Sequence, residues 1–221
     1  MKGKDLLEEI KSVISGKTLD ALFPPLVFVL INNIYGLNLA VVISIGIALL
    51  LSVIRLVRKQ TWKYAFGGMG GVIFASGLVY FTRNAANYFV GGIISSSALL
   101  LLTLVSLIIG KPLAVWASHL SRGWPLDWYW RKDIKPAYVE VTWFWVFLFM
   151  ARLIVQYLLW QRGDVFTLTW ANIVLGWPFT LSILIISYIY GIWRLNRLGG
   201  PGVEEYKAGK KPPWKGQTRG F

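Results

Sequence analysis

The sequence predicts an all-α, polytopic membrane protein with six transmembrane helices in three hairpins and two interfacial amphipathic helices. First, 56% of the 221 residues are hydrophobic and the mean hydropathy is +0.56, well above the values of an ordinary soluble domain. Second, the apolar runs are about twenty residues long, which suffices to cross a hydrocarbon core of roughly 30 Å. Third, the basic residues lie in short segments between these runs, as they do in cytosolic loops.

Composition also excludes several functional classes. The chain has no cysteine and one histidine, so neither disulfides nor thiolate catalysis is possible. We expect no metal site and no cofactor. The net charge of +13 could suggest a nucleic-acid partner, but its distribution favours contact with anionic lipid headgroups, and we expect no nucleic acid. We also expect no cleavable signal peptide, because a mixed-charge segment precedes the first apolar run.

Residues 1–20 predict the first interfacial helix. Their apolar residues recur at helical spacing, and the charged residues fall on the other side. The apolar positions are Leu6, Leu7, Ile10, Val13 and Ile14. An alternative is a solvated leader that packs on nothing.

Residues 21–194 predict the membrane domain. The six spans are expected at about 21–35, 37–57, 64–82, 88–109, 140–160 and 171–193. Pro24 and Pro25 fall in a first helical turn, where the missing N–H groups cost little. Gly176-Trp177-Pro178 predicts a bend in the last span. The tail, residues 195–221, is rich in Gly, Pro and Lys and predicts a basic, disordered cytosolic segment.

The segment between the fourth and fifth spans predicts the second interfacial helix. After the break at Gly110-Lys111-Pro112, one apolar face is formed by Leu113, Trp116, Ala117 and Leu120. Tryptophan is enriched where a membrane meets water. We therefore expect interfacial anchors at Trp116, Trp124, Trp128 and Trp130.

The distribution of lysine and arginine predicts the orientation. With six spans and both termini in the cytosol, the cytosolic segments hold 20 of the 23 basic residues. The outer turns hold only Arg83 and Arg162, and Arg152 lies within a span. This bias predicts a multi-pass inner (cell) membrane protein with cytoplasmic N- and C-termini.

Arg152 is the main candidate functional residue. A guanidinium near the middle of a span is costly, so it normally faces the bundle interior or a watery cavity. Gln156 follows at i+4 on the same helical face, and Asn32, Asn33 and Asn172 come from the outer halves of other spans. We expect these five residues to form a ligand-binding site for an anionic or carbonyl-bearing group. Alternatively, Arg152 donates to backbone carbonyls and Asn side chains and only fixes helix packing.

The sequence also shows a family resemblance, covering about residues 20–195. It is carried by Phe23-Pro24, Tyr35-Gly36-Leu37 with Ala40, Arg58-Lys59, Asn84 with Phe89, and Ile109-Gly110-Lys111-Pro112-Leu113. These features resemble the intracellular septation protein A (YciB-like) family and its uncharacterised actinobacterial-type relatives. The resemblance implies an inner-membrane protein linked to envelope synthesis and division partners, and it supplies no catalytic motif.

Three functions follow from these patterns. The first is a non-enzymatic envelope protein that organises partners or lipids, as the resemblance implies. The second is a small transporter or lipid-handling carrier with a polar pocket around Arg152. The third is an enzyme acting on an intramembrane substrate, for which no paired acids, histidine cluster or metal set is visible. Glu140, at the inner end of span five, is expected to cap its helix, since carboxylates favour helix N-termini.

Overall fold

The fold is all-α. The structure, a computed structural model, describes residues 19–58, 62–218 and 220–221, and no strand occurs in these ranges. The α-helices are α1 (Leu19–Tyr35), α2 (Leu37–Val57), α3 (Trp62–Thr82), α4 (Val90–Ile108), α5 (Leu113–Arg122), α6 (Leu126–Tyr129), α7 (Lys135–Arg162), α8 (Val165–Val174), α9 (Trp177–Leu198) and α10 (Val203–Lys207), and a 3₁₀ turn covers Ala85–Phe89. The predicted first interfacial helix lies almost wholly outside the described residues.

Four helical stretches are long and apolar enough to cross a membrane. They are Leu37–Val57, Ala85–Ile108, Lys135–Arg162 and Val165–Leu198. Two further apolar helices, Pro24–Tyr35 and Phe66–Thr82, are shorter. Large apolar side chains are exposed along these helices, as expected where lipid rather than water covers the surface. The prediction of an all-α membrane protein is confirmed at this level.

The last predicted span is interrupted where the sequence predicted a bend. Helix α8 ends at Val174 and α9 begins at Trp177, with Gly176 at the junction and Pro178 in the first turn of α9. The helical stretch begins six residues earlier than expected, at Val165. The reason is Asp164, whose carboxylate accepts the backbone N–H of Thr167 at 3.0 Å and so caps the helix.

The described chain divides into two compact units. Unit 1 comprises residues up to Ile94 together with Gln156–Ile173. In its core the rings of Phe28 and Tyr88 stack with centroids 4.2 Å apart. In its glycine-rich helix α3, a Cβ on Gly68 would lie 3.1 Å from Nη1 of Arg55. Gly68 therefore permits a close approach by Arg55, which gives one of the clustered glycines a packing role.

Unit 2 comprises Ser95–Val155 and Val174–Phe221. The side chains of Trp128, Tyr129 and Tyr138 are fully buried in its core, and the Trp128 indole donates to the carbonyl of Pro201 at 2.9 Å. The prediction that Trp128 is an interfacial anchor is wrong, because its ring is enclosed by protein and cannot reach a headgroup. Its N–H is satisfied by the C-terminal segment, as a buried indole requires.

The C-terminal segment is folded, and the prediction of a disordered tail is wrong. Glu205 of α10 accepts the backbone N–H groups of Gly202, Lys215 and Gly216 at 2.9–3.1 Å. The ring of Phe221 stacks on Tyr138 at 4.3 Å. Polar composition alone suggested a chain without enough apolar surface to fold, but the segment is ordered by the hydrogen bonds of its own Glu205 and by contacts with Trp128 of α6 and Tyr138 of α7.

Gly191→Ala should release the end of the tail. A Cβ at Gly191 would overlap the ring of Phe221, so the ring must leave, with loss of a stacking contact that is worth about 0.5–1.5 kcal/mol. We expect faster limited proteolysis of the segment after α9. Gly77→Ala is the control, because a Cβ there meets nothing within 4 Å while the gain in helix propensity is the same. Equal cleavage of both variants would contradict this packing.

The tail should also loosen in acid. The backbone N–H groups of Lys215, Gly202 and Gly216 lower the pKa of Glu205 below its ordinary value of 4.5. The folded pKa is the lower one, so this stabilisation is present above 4.5 and is lost as the pH falls through the folded pKa. We expect the tail amides of the wild type to lose protection against hydrogen exchange below pH 4.5. Glu205→Gln should lower this protection already at pH 7, whereas the exposed Glu204→Gln should not.

Candidate functional site

Two of the predicted site residues meet in unit 1. Gln156 is fully buried, and its Nε2 donates to Oδ1 of Asn172 at 2.7 Å. Asn172 in turn donates through Nδ2 to the carbonyl of Leu168, one turn earlier on α8, at 2.8 Å. Within the described part of the chain, Oε1 of Gln156 is buried and accepts no hydrogen bond. The pair joins α7 to α8 and leaves one acceptor available.

Arg152 lies on the same helix, α7, but belongs to unit 2, because the boundary between the units runs between Val155 and Gln156. Its side chain is partly buried. The described residues supply no acceptor for its buried Nε. At 1.5 Å per residue, Arg152 lies about 15 Å from the end of α7 at Arg162, deep within the apolar stretch. Its predicted role in ligand binding stays a prediction.

Asn32 and Asn33 lie at the end of α1. Asn33 is exposed and Asn32 is partly buried. In the ranges that the structure covers, no side-chain hydrogen bond joins either of them to Gln156 or Asn172. The carbonyl of Asn32 accepts the N–H of Gly36 at 3.2 Å, which closes the turn between α1 and α2. The structure thus brings together two of the five residues by hydrogen bonding, and the common site of all five stays a prediction.

Polar links that sequence reasoning missed tie other helix ends of unit 1 together. The Trp160 indole donates to Oδ1 of Asn87 at 2.9 Å, and Nδ2 of Asn87 donates to Thr82 at 2.8 Å. Arg83 donates to Oδ1 of Asn38 at 2.9 Å. The first and last links connect residues 73 and 45 positions apart, so no local pattern could reveal them.

In unit 2 the strongest polar cluster surrounds Glu140. Arg194 of α9 donates through Nε and Nη2 to its carboxylate at 2.8–3.0 Å, and the Tyr190 hydroxyl donates at 2.7 Å. Such a bidentate, charge-assisted contact is stronger than a neutral hydrogen bond. The expectation that Glu140 caps its helix is wrong, since the carboxylate bridges α7 to α9. Trp145 makes a second bridge, donating to Ser187 at 2.8 Å.

The predicted anchors Trp116, Trp124 and Trp130 are partly exposed, so a role at the water interface stays open to them. Trp124 and Trp130 lie beside basic side chains. The guanidinium of Arg122 sits 5.2 Å from the Trp124 ring, and Nζ of Lys135 sits 5.9 Å from the Trp130 ring. This end of unit 2 therefore combines aromatic surface with cations.

Helix α5 occupies the predicted position of the second interfacial helix. Its Ala114, Val115 and Ser118 are buried against unit 2, whereas Leu120 is 81% exposed. Ser118 bonds to the hydroxyl of Tyr129 at 2.9 Å. The helix thus attaches to the protein through its small residues and leaves Leu120, from the predicted apolar face, outside.

Comparison with known families gives one match for this chain. The model of a family described as "Protein of unknown function (DUF3159)" matches residues 15–195. The chain belongs to this family. Neither curated proteins nor solved structures give a match. This match neither supports nor contradicts the resemblance to the septation protein A family, which stays a prediction for this DUF3159 protein. The family match ends at residue 195 and so does not include the folded tail.

The bond between Gln156 and Asn172 should contribute measurably to stability. We expect Gln156→Leu to lower the free energy of unfolding by about 0.5–1.5 kcal/mol, because Oδ1 of Asn172 loses its donor inside an apolar helix pair. Gln161→Leu is the matched control: Gln161 is exposed, and among the residues that the structure describes its side chain bonds only to Tyr157 of its own helix. Thermal unfolding in detergent would measure both. Equal midpoints for the two variants would contradict the assigned contribution.

Proposed function

We propose that this protein is a non-enzymatic integral membrane protein of the cell envelope that organises lipids or partner proteins at the membrane surface. The observation that carries the proposal is the folded basic end of unit 2. There α5, α6, α10 and the tail enclose Trp128 and Tyr129, and basic side chains including Lys132 and Lys207 remain exposed. A rigid, basic surface next to apolar helices is suited to anionic headgroups and to partners.

The proposal includes a topology. It has six spans, with α1 and α3 as the two shorter ones, and both termini on the cytosolic side of the inner membrane. The 20-to-2 distribution of basic residues supports this arrangement. It puts the basic end of unit 2 in the cytosol, against the anionic leaflet. The resemblance to the septation protein A family supports an envelope role, with division proteins as possible partners.

A second candidate function is a small transporter or lipid-handling carrier. Its support is the buried Nε of Arg152, which lacks an acceptor in the described ranges. An unsatisfied polar group within a span is costly, so an anionic or carbonyl-bearing ligand bound there would stabilise the helix. A carrier requires that binding depend on Arg152, whereas an organising protein binds its lipids and partners at the surface and tolerates its loss.

Native mass spectrometry of the gently extracted protein, wild type beside Arg152→Ala, tests these functions. We expect lipids or a protein partner on the wild type and equal retention of them by the variant, because binding occurs at the basic end of unit 2. A discrete adduct on the wild type that is lost in Arg152→Ala would support the carrier instead. A wild-type chain carrying neither lipid nor partner would refute the organising function. Thermal unfolding of both proteins provides the control for folding.

A further inference from the structure

A continuous stripe runs along one face of α7. Lys132 precedes the helix, and Lys135, Pro136, Val139 and Glu140 follow at helical spacing, lining a groove of about 360 Å³. A second groove of about 420 Å³ continues along the helix and is lined by Glu140, Val141, Trp143, Phe144, Phe147, Ile186, Ser187 and Tyr190. Glu140 lines both. Both grooves are open to the outside of the protein along their length.

The two ends of this stripe differ chemically. The second groove is almost entirely apolar, with Phe147 65% and Ile186 50% exposed. The first groove is also lined largely by apolar atoms, but two cations, Lys132 and Lys135, border it. Glu140 does not neutralise its lysines, because its carboxylate is already held by Arg194 and Tyr190. In the part of the chain that is described, neither Lys132 nor Lys135 forms an ion pair.

The length of α7 puts these ends at different depths. Its 28 residues extend about 42 Å, which exceeds a hydrocarbon core of roughly 30 Å. The first turns of α7 therefore project into the headgroup region, while Phe147, about 18 Å further along, lies among the acyl chains. The two lysines thus lie at headgroup level beside the first groove, and the second groove, which shares Glu140 with the first, lies at chain level.

We propose that this stripe binds one anionic phospholipid, with its phosphate at Lys132 and Lys135 and an acyl chain along Trp143, Phe147 and Ile186. The proposal deepens the organising function and rests on it, since it names the lipid class and the site. The charge of the lysines and the two-part groove match this occupant. A second copy of the chain fits less well, because a symmetric contact would bring like charges together. An apolar partner helix would offer no negative group to pair with the two lysines.

The Glu140–Arg194 pair has a defined part in this site. It joins α7 to α9 at the point where the two grooves meet, and with Tyr190 it holds the walls of the apolar groove together. Because Arg194 satisfies the carboxylate, Glu140 can border the phosphate without presenting an unpaired negative charge. The pair is therefore a positioning element.

The test is titration of the purified full-length protein in detergent with phosphatidylglycerol or phosphatidylcholine, read by native mass spectrometry. Lys132→Gln/Lys135→Gln is compared with Arg58→Gln/Arg162→Gln, which removes the same charge from exposed positions of unit 1. We expect the first double variant to bind phosphatidylglycerol roughly thirtyfold more weakly and the second to bind as the wild type does. The loss should shrink at high salt, where charge interactions are screened.

A second pair of variants tests the contribution of the apolar groove to lipid binding. Phe147→Ala should weaken the binding of both lipids, whereas Phe81→Ala, which removes an 84% exposed phenylalanine from unit 1, should not. Lys132→Gln alone provides a folded variant if the double substitution disturbs Lys135 and its neighbour Trp130, because Lys132 is exposed. A smaller loss of phosphatidylglycerol in this single variant would support the same site.

Several outcomes would overturn the proposal. Unchanged phosphatidylglycerol binding by the lysine variants would refute the proposed headgroup site. The organising function would still hold if the wild type carries lipid or a partner. Displacement of phosphatidylglycerol by an equal concentration of inorganic phosphate would make the site one for free anions. A co-purified protein that blocks both lipids would assign the groove to a partner helix. A wild type without lipid or partner would refute both proposals.

Discussion

Polar groups within a bilayer have no water to bond, and this constraint governs how the helices are joined. Gln156 bonds Asn172 inside unit 1, and Trp145 bonds Ser187 inside unit 2. In each case a side chain of α7 finds its partner on the next apolar helix of the same unit. These bonds are individually modest, but leaving a donor or acceptor without a partner costs more. Among the described residues, the buried Nε of Arg152 and the buried Oε1 of Gln156 both lack a partner, and Arg152 is the charged one of the two.

The basic end of unit 2 is organised by an aromatic core. Trp128, Tyr129 and Tyr138 are buried together, and the tail closes over them through Pro201 and Phe221. Helix α5 adds its small residues to the same core. The consequence is a rigid surface: lysines next to this core are held in place by the backbone beneath them. Fixed charges lose less entropy on binding than those of a flexible tail.

The proposed lipid site and the organising function follow from the same asymmetry. One end of α7 carries cations on an ordered surface, and the remainder is apolar and exposed. The Glu140–Arg194 pair lies at the junction and neutralises its own charges, so the free lysines set the sign of the surface. Arg152 lies deeper in the apolar stretch and is not part of this arrangement. For this reason the Arg152→Ala variant distinguishes the carrier function from the organising function.

The sequence by itself determined the all-α membrane class, the break before Trp177 and the position of α5, because these depend on local properties: the length of apolar runs, helix-breaking residues and helical spacing. It also grouped Gln156 and Asn172 in one predicted site, but the direct hydrogen bond between them is known only from the structure. The tertiary structure alone decided what depends on distant partners. Arg194 neutralises Glu140 from 54 positions away. Trp128 is buried by a tail whose composition predicted disorder, because the apolar surface that orders the tail belongs to other helices.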